Sequence, residues 1–193
     1  MSPLDQSLLL FAEIFQSAGI RTMVGGSIAA MLYGEARSTI DIDLIIDANS
    51  AEADRIIKAF EPSRYHVPPR EALTKALRSP RDGSFQILDR STGLKADVYV
   101  AGSDPLIRYG LDHSRLEPLH GREIRVAPAT YVIAMKLRYY AMSEQSKHLR
   151  DVRTILELSP DQIDFTLVRQ FAKECGALAA WEACVAAPGS EED

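Results

Sequence analysis

Cysteine is almost missing from this chain. Only Cys175 and Cys184 occur among 193 residues, and a nine-residue separation turns them about 180° apart on a continuous helix, so no disulfide is expected between them. No paired-cysteine spacing of the kind zinc uses is present, and so little cysteine fits a reducing, cytoplasmic setting. Long apolar runs are missing too. The stretch Leu8 to Phe11 is interrupted at Glu13 and lacks a basic flank, so neither a signal peptide nor a membrane span is expected. An excess of positive charge is also absent: 22 Lys plus Arg stand against 27 Asp plus Glu, a net charge of -5. That excludes the overall basic footprint of a dedicated nucleic-acid binder. What is present is ordinary globular composition, 46% hydrophobic and 25% charged, with no repeat or low-complexity tract.

Periodicity divides the chain into a mixed front and a helical back. Leu8, Phe11, Ile14, Phe15 and Ala18 recur at helical spacing before Gly19, predicting an amphipathic helix over residues 4–18. A β-rich segment, Ile20 to Val24, runs into Gly25-Gly26-Ser27 and then an apolar helix ending at Gly34. Thr39 to Ile46 alternates apolar and acidic residues like a strand. Helices are expected over 51–60 and 70–78. Two hairpins are expected, Phe85–Leu88 with Leu94–Val100 and Leu116–Leu119 with Glu123–Val126. From Pro128, which suits a first helical turn, the pattern is helical, with helices from there and over 144–158. Ser159, Pro160 and Gln162 read as an N-cap, N1 proline and capping-box partner opening a further helix or pair of helices towards Val185. The expected organisation is an α/β (α+β) core at 1–127, a C-terminal helical subdomain at 128–187 and a disordered acidic tail at 188–193.

The chemistry concentrates in two places. A strand ending in Gly25-Gly26-Ser27 and feeding a helix presents unpaired N–H groups and a partial positive charge, the natural seat of a phosphate. Its glycines admit close approach, and the Ser27 hydroxyl adds a donor. Asp41 and Asp43 lie on one face of the next strand, about 6.5 to 7 Å apart at Cα. Side-by-side carboxylates near a core repel unless a cation lies between them, and oxygen-only ligands point to Mg²⁺ or Mn²⁺. Asp97 lies mid-strand between the apolar neighbours Ala96 and Val98. Placed beside the Asp41 strand, it would complete a set suited to in-line phosphoryl displacement and accept the proton of an incoming hydroxyl.

Gly25-Gly26-Ser27, then Arg37-x-Thr39-x-Asp41-Ile42-Asp43, then a hydrophobic-Asp97-hydrophobic strand, resembles the nucleotidyltransferase fold of the DNA polymerase β superfamily, and within it the AbiEii-type toxin-like nucleotidyltransferases. The likeness spans roughly residues 20 to 158, including Lys136-Leu137 and Arg150-Asp151. The resemblance implies a mixed β-sheet core in which Gly25, Gly26 and Ser27 hold the triphosphate and Asp41, Asp43 and Asp97 bind Mg²⁺ (or Mn²⁺). Arg37, Thr39, Lys136 and Asp151 match positions beside the nucleotide, with Lys136 among the catalytic set. It also implies an NTP substrate, an RNA or protein acceptor and a cognate antitoxin. Relatives carry Pro-Glu where this chain has Pro128-Ala129, so that acid is absent here.

Competing readings are weaker. Haloacid-dehalogenase-type phosphatases also use Asp-x-Asp, yet on the first strand and without an upstream Gly-Gly-Ser turn. A catalytically silent nucleotide- or partner-binding module has no need of three converging acids. His66, His113, His120 and His148 lack ligand spacing and read as structural or exposed. Arg64, Arg70, Lys75, Arg78 and Arg81, and Lys136, Arg138, Lys147, Arg150 and Arg153, either line an acceptor groove for RNA or form an ordinary solvated surface, the commoner case for such scatter.

Overall fold

The computed structural model describes residues 1–186; the tail expected to be disordered lies outside them. The chain forms two compact units, residues 1–28 with 39–127, and residues 29–38 with the chain from 128 onward.

In the first unit, helix α1 (Pro3–Ser17) opens on a reciprocal cap. The Ser2 hydroxyl accepts from the Asp5 N–H and the Asp5 carboxylate from the Ser2 N–H, both at 3.1 Å. Its apolar stripe buries Leu8, Phe11 and Phe15. Phe11, Phe15, Phe60 and Tyr65 form an aromatic cluster with ring centroids 5.2 to 6.3 Å apart. After β1 (Arg21–Val24) comes α2 (Gly26–Tyr33), within which the boundary between the units falls. Then follow β2 (Ile42–Asp47), a 3₁₀ turn at 50–52, α3 (Ala53–Ala59), β3 (Tyr65–His66), α4 (Arg70–Arg78), β4 (Ser84–Asp89), β5 (Lys95–Val100), α5 (Pro105–Asp112), β6 (Arg115–Leu119) and β7 (Arg122–Val126).

The strands form one seven-stranded mixed sheet in the order β3-β4-β5-β2-β1-β7-β6. β2 runs parallel to β5 and β1 parallel to β7, while the remaining pairs are antiparallel. One face of the central strands, Ile42, Leu44 and Ile46 on β2 with Ala96, Val98 and Val100 on β5, is fully buried. That burial fixes the register, because a one-residue slip would send every acid inward.

The second unit is helical: α6 (Ala129–Ser143), α7 (Ser146–Leu158), α8 (Phe165–Glu174) and α9 (Leu178–Ala186). Trp181 is buried here. Cys175 caps α8 and Cys184 lies in α9, and the two form no disulfide with each other.

Three sequence expectations are corrected. The strand predicted from Thr39 begins only at Ile42, because its pairing with β5 starts at Ile42 opposite Ala96. Pro128 precedes α6 as its N-cap. The capping box expected at Ser159 does not form: Ser159 makes no cap hydrogen bond, and its hydroxyl donates to the Tyr33 carbonyl at 2.8 Å. Only a 3₁₀ turn comes after it, and the next helix starts instead at Asp164, whose side chain accepts from the Leu167 N–H at 2.9 Å.

One buried charge locks the sheet edge. Asp89, fully buried at the end of β4, accepts from the Ser91 N–H and hydroxyl at 2.9 and 2.6 Å and from Arg64 Nη2 at 2.7 Å. Burial alone pushes its carboxyl up, but the hydrogen bonds from Arg64 and Ser91 outweigh it and hold the group below the usual carboxylate range. Replacing Asp89 by Ala strands these donors and is expected to cost about 2–3 kcal/mol, tempered by the partial exposure of Arg64, measurable as a lower urea midpoint at unchanged m.

Candidate active site

The glycine turn is built by close approach. Past the last residue of β1, the Gly25 N–H donates to the Asp43 carbonyl at 2.9 Å, carrying the β1–β2 ladder one step further. Gly26 then opens α2 at φ +57, in the left-handed region. A Cβ at Gly26 would lie 1.8 Å from Asp43 Oδ2 and 2.5 Å from its Cγ. The residue must therefore be glycine twice over, once for its backbone and once because the Asp43 carboxylate lies against its Cα. A carboxylate is thus held beside the start of α2, the end of a helix that carries a partial positive charge.

Sheet register brings the second acid alongside. Asp43 on β2 is the direct partner of Asp97 on β5, so their Cα atoms are about 4.8 Å apart and both side chains leave the same face. Both residues are half-buried, with buried aliphatics on either side in sequence. Asp97 Oδ1 accepts from Gln86 Nε2 at 2.6 Å. Asp41 is exposed just ahead of β2, its N–H donating to Thr39 Oγ1 at 3.2 Å. Among the described residues no group of three or more His, Cys, Asp or Glu side chains is placed to hold a metal ion. The donor set present is the pair of neighbouring carboxylates Asp43 and Asp97, and one or two carboxylates are what Mg²⁺ takes from a protein when water and substrate phosphates complete its shell. The all-oxygen donors, and the carboxylate pressed against a glycine Cα, fit a hard divalent cation.

In the second unit, Arg37, Lys136 and Asp151 form one charge cluster. Arg37 grips Asp151 in a fork, Nε to Oδ1 at 3.1 Å and Nη2 to Oδ2 at 3.2 Å, while Lys136 Nζ reaches Oδ2 at 2.5 Å. Lys136 and Asp151 are buried, 5% and 7% exposed, so Lys136 is no snorkelling surface lysine. Burial pushes the Asp151 carboxyl up, but hydrogen bonds and charge from Arg37 and Lys136 overcome this and hold it below its ordinary range. Two contacts pin the segment that carries Arg37. A Cβ on Gly34 would meet Thr154 Oγ1 at 2.6 Å, and Ser159 bonds Tyr33.

Gln86 and His148 are the residues that sequence reading missed. Gln86 is legible only once β4 and β5 are paired. His148 is half-buried and not merely exposed: its Nδ1 is buried without a hydrogen-bond partner among the described residues, and its ring lies 5.7 Å from that of Tyr139. Burial first, then the charges of Lys136, Lys147 and Arg37, push the imidazole below its ordinary value, with Asp151 opposing. The other histidines make surface contacts, His120 with Asp5 at 2.9 Å, His113 with the Tyr109 carbonyl at 2.9 Å and His66 with Arg90 at 3.4 Å.

Two sets of substitutions probe these contacts. Gly26→Ala should destabilise the chain by more than the roughly 1–2 kcal/mol of a left-handed alanine, and Asp43→Ala in the same chain should recover part of the loss by removing the atoms that Cβ meets; chemical denaturation measures both. For His148 the unfolded state binds its proton more readily than the folded state, so stability rises with pH across that window. Its contribution is full above about pH 6.5 and lost as pH falls towards the lower folded value. The stability of the wild type relative to His148→Gln should accordingly shrink between pH 7 and pH 5, read as the difference in melting temperature across a pH series.

Comparison with known proteins agrees with this fold. The structure of ANT(2″)-Ia in complex with adenylyl-2″-tobramycin superposes with a TM-score of 0.60 at 15% identity, covering 90% of this chain and 99% of that one. An antigenic nucleotidyltransferase-like protein from Paracoccidioides brasiliensis superposes with a TM-score of 0.55 at 15% identity, covering 93% and 92%. These likenesses establish the nucleotidyltransferase fold. No curated protein sequence matches the chain. The family model for the nucleotidyl transferase AbiEii toxin of type IV toxin–antitoxin systems matches residues 9–188, nearly the whole length, and the chain belongs to that family.

Proposed function

We propose that this protein transfers a nucleoside monophosphate from an NTP to an acceptor hydroxyl, on RNA or protein, using Mg²⁺ or Mn²⁺. The observation that carries the reading is the in-register pair Asp43 and Asp97 beside the Gly26 turn. Gly25, Gly26 and Ser27 form the turn that receives the triphosphate: the Gly25 N–H is held by the Asp43 carbonyl, and the helix start that follows presents its partial positive charge to the phosphates. Asp41, Asp43 and Asp97 hold the divalent cation, with Thr39 bracing the backbone at Asp41; when bound, the cation neutralises charge on the phosphoryl oxygens and the departing pyrophosphate. The acceptor oxygen forms a bond to the α-phosphorus, the bond from that phosphorus to the bridging oxygen of pyrophosphate breaks, and Asp97 takes the hydroxyl proton. Arg37 and Lys136, both held by Asp151, leave their cluster with an excess of positive charge, the sign suited to phosphate oxygens.

The family description supports a toxin role with a cognate antitoxin, and the cytoplasm, which supplies NTPs and Mg²⁺, is the setting that goes with the proposed reaction. No helix among the described residues is long and apolar enough to cross a membrane. With α-labelled NTPs, Mg²⁺ and total cell RNA or lysate, label should enter a macromolecule. Asp43→Asn and Asp97→Asn should lower transfer by at least about a hundredfold without lowering the melting temperature, since each removes one of two neighbouring like charges. Tight NTP binding with no labelled product would favour a catalytically silent binding module. No thermal shift with any NTP and Mg²⁺ would remove the nucleotide reading altogether.

A further inference from the structure

Three adjacent strands place three polar side chains in one row. β4 pairs antiparallel with β5 so that Gln86 lies opposite Asp97, and β5 pairs parallel with β2 so that Asp97 lies beside Asp43. On β4 the residues Phe85, Ile87 and Asp89 are buried, and Ser84, Gln86 and Leu88 face outward. Gln86 is therefore an exposed residue with no part in the core. Its amide nevertheless holds the Asp97 carboxylate directly, Nε2 to Oδ1 at 2.6 Å, at the short end for N–H donors. Asp97 Oδ2 has no hydrogen-bond partner among the described residues.

We propose that Gln86 is a positioning residue for Asp97. By donating to Oδ1 it selects one rotamer and presents Oδ2 as the oxygen that meets cation and acceptor, an assignment that rests on the metal-dependent reading above. The residue type suits the task. A lysine or arginine at this position would neutralise the acid and compete with a cation. A glutamate would repel Asp97 and offer a rival ligand off the row. Only a neutral donor of this length fixes one oxygen while leaving the full negative charge in place. Because Gln86 is exposed and its neighbours on β4 carry the packing, the fold does not need the bond.

The test uses Gln86→Met, equal in length but without a donor, in the wild-type and Asp97→Asn chains. Mn²⁺ binding to the nucleotide-free protein, followed by electron paramagnetic resonance, should weaken about three- to tenfold in Gln86→Met with the melting temperature unchanged. In NTP-dependent transfer, kcat should fall about tenfold while the KM for NTP stays within about twofold, since the phosphates meet the glycine turn and not this row. In the Asp97→Asn chain the same substitution should change Mn²⁺ affinity no further, because the two residues act as one unit. Unchanged Mn²⁺ affinity and kcat in Gln86→Met, a further loss in the Asp97→Asn chain, or no Mn²⁺ binding by the wild type would each overturn the assignment. The two readings fail separately. A wild type that transfers no label but shows the non-additive Mn²⁺ effect loses the enzyme and keeps the positioning residue, whereas active transfer indifferent to Gln86→Met does the reverse.

Discussion

Everything at the mouth of the sheet depends on how closely Gly26 lies against Asp43. A carboxylate packed within what would be bonding distance of a missing Cβ fixes where the chain turns from β1 into α2. It also places a negative side chain beside the start of a helix, and the pairing of β2 with β5 brings Asp97 to the same level. The turn and the carboxylates proposed to receive phosphate and cation are so assembled from backbone geometry first and side chains second. Short residues on paired strands give such a site its precision, with Gln86 as the one longer side chain that holds an acid in place.

The second unit solves a different electrostatic problem. Burying Lys136 without a partner would be costly, and Asp151 offsets that cost while also receiving the Arg37 fork. One anion between two cations leaves a net positive charge in a partly desolvated place. The half-buried His148 beside it is pushed towards its neutral form by burial and by that surplus. The cluster thus stays cationic without admitting a further proton at neutral pH, a state suited to anions.

Much of this was legible from residue order. The Gly25-Gly26-Ser27 turn, the period-two alternation around Asp43 and Asp97, and the hairpin signals at Gly93 and Gly121 each reflect local constraints that act within a few residues. Asp104 followed by Pro105 is an equally local signal for α5 that the sequence reading passed over: Asp104 Oδ1 accepts from the N–H groups of Leu106 and Ile107 at 2.9 and 3.1 Å. The two-residue β3 carries no period of its own and exists because β4 supplies its partners. Ser159 shows the opposite failure. A sound cap pattern yielded to a distant acceptor, the Tyr33 carbonyl, which a local reading has no means of seeing.

Sequence alone therefore determined the elements, the acids and the glycines, because backbone sterics and side-chain alternation are short-range. Tertiary structure decided which acids are neighbours, that Gln86 rather than Lys95 engages Asp97, and that Asp151 serves two cations at once. Those outcomes turn on strand register and helix packing, which are set by burying apolar faces far apart along the chain.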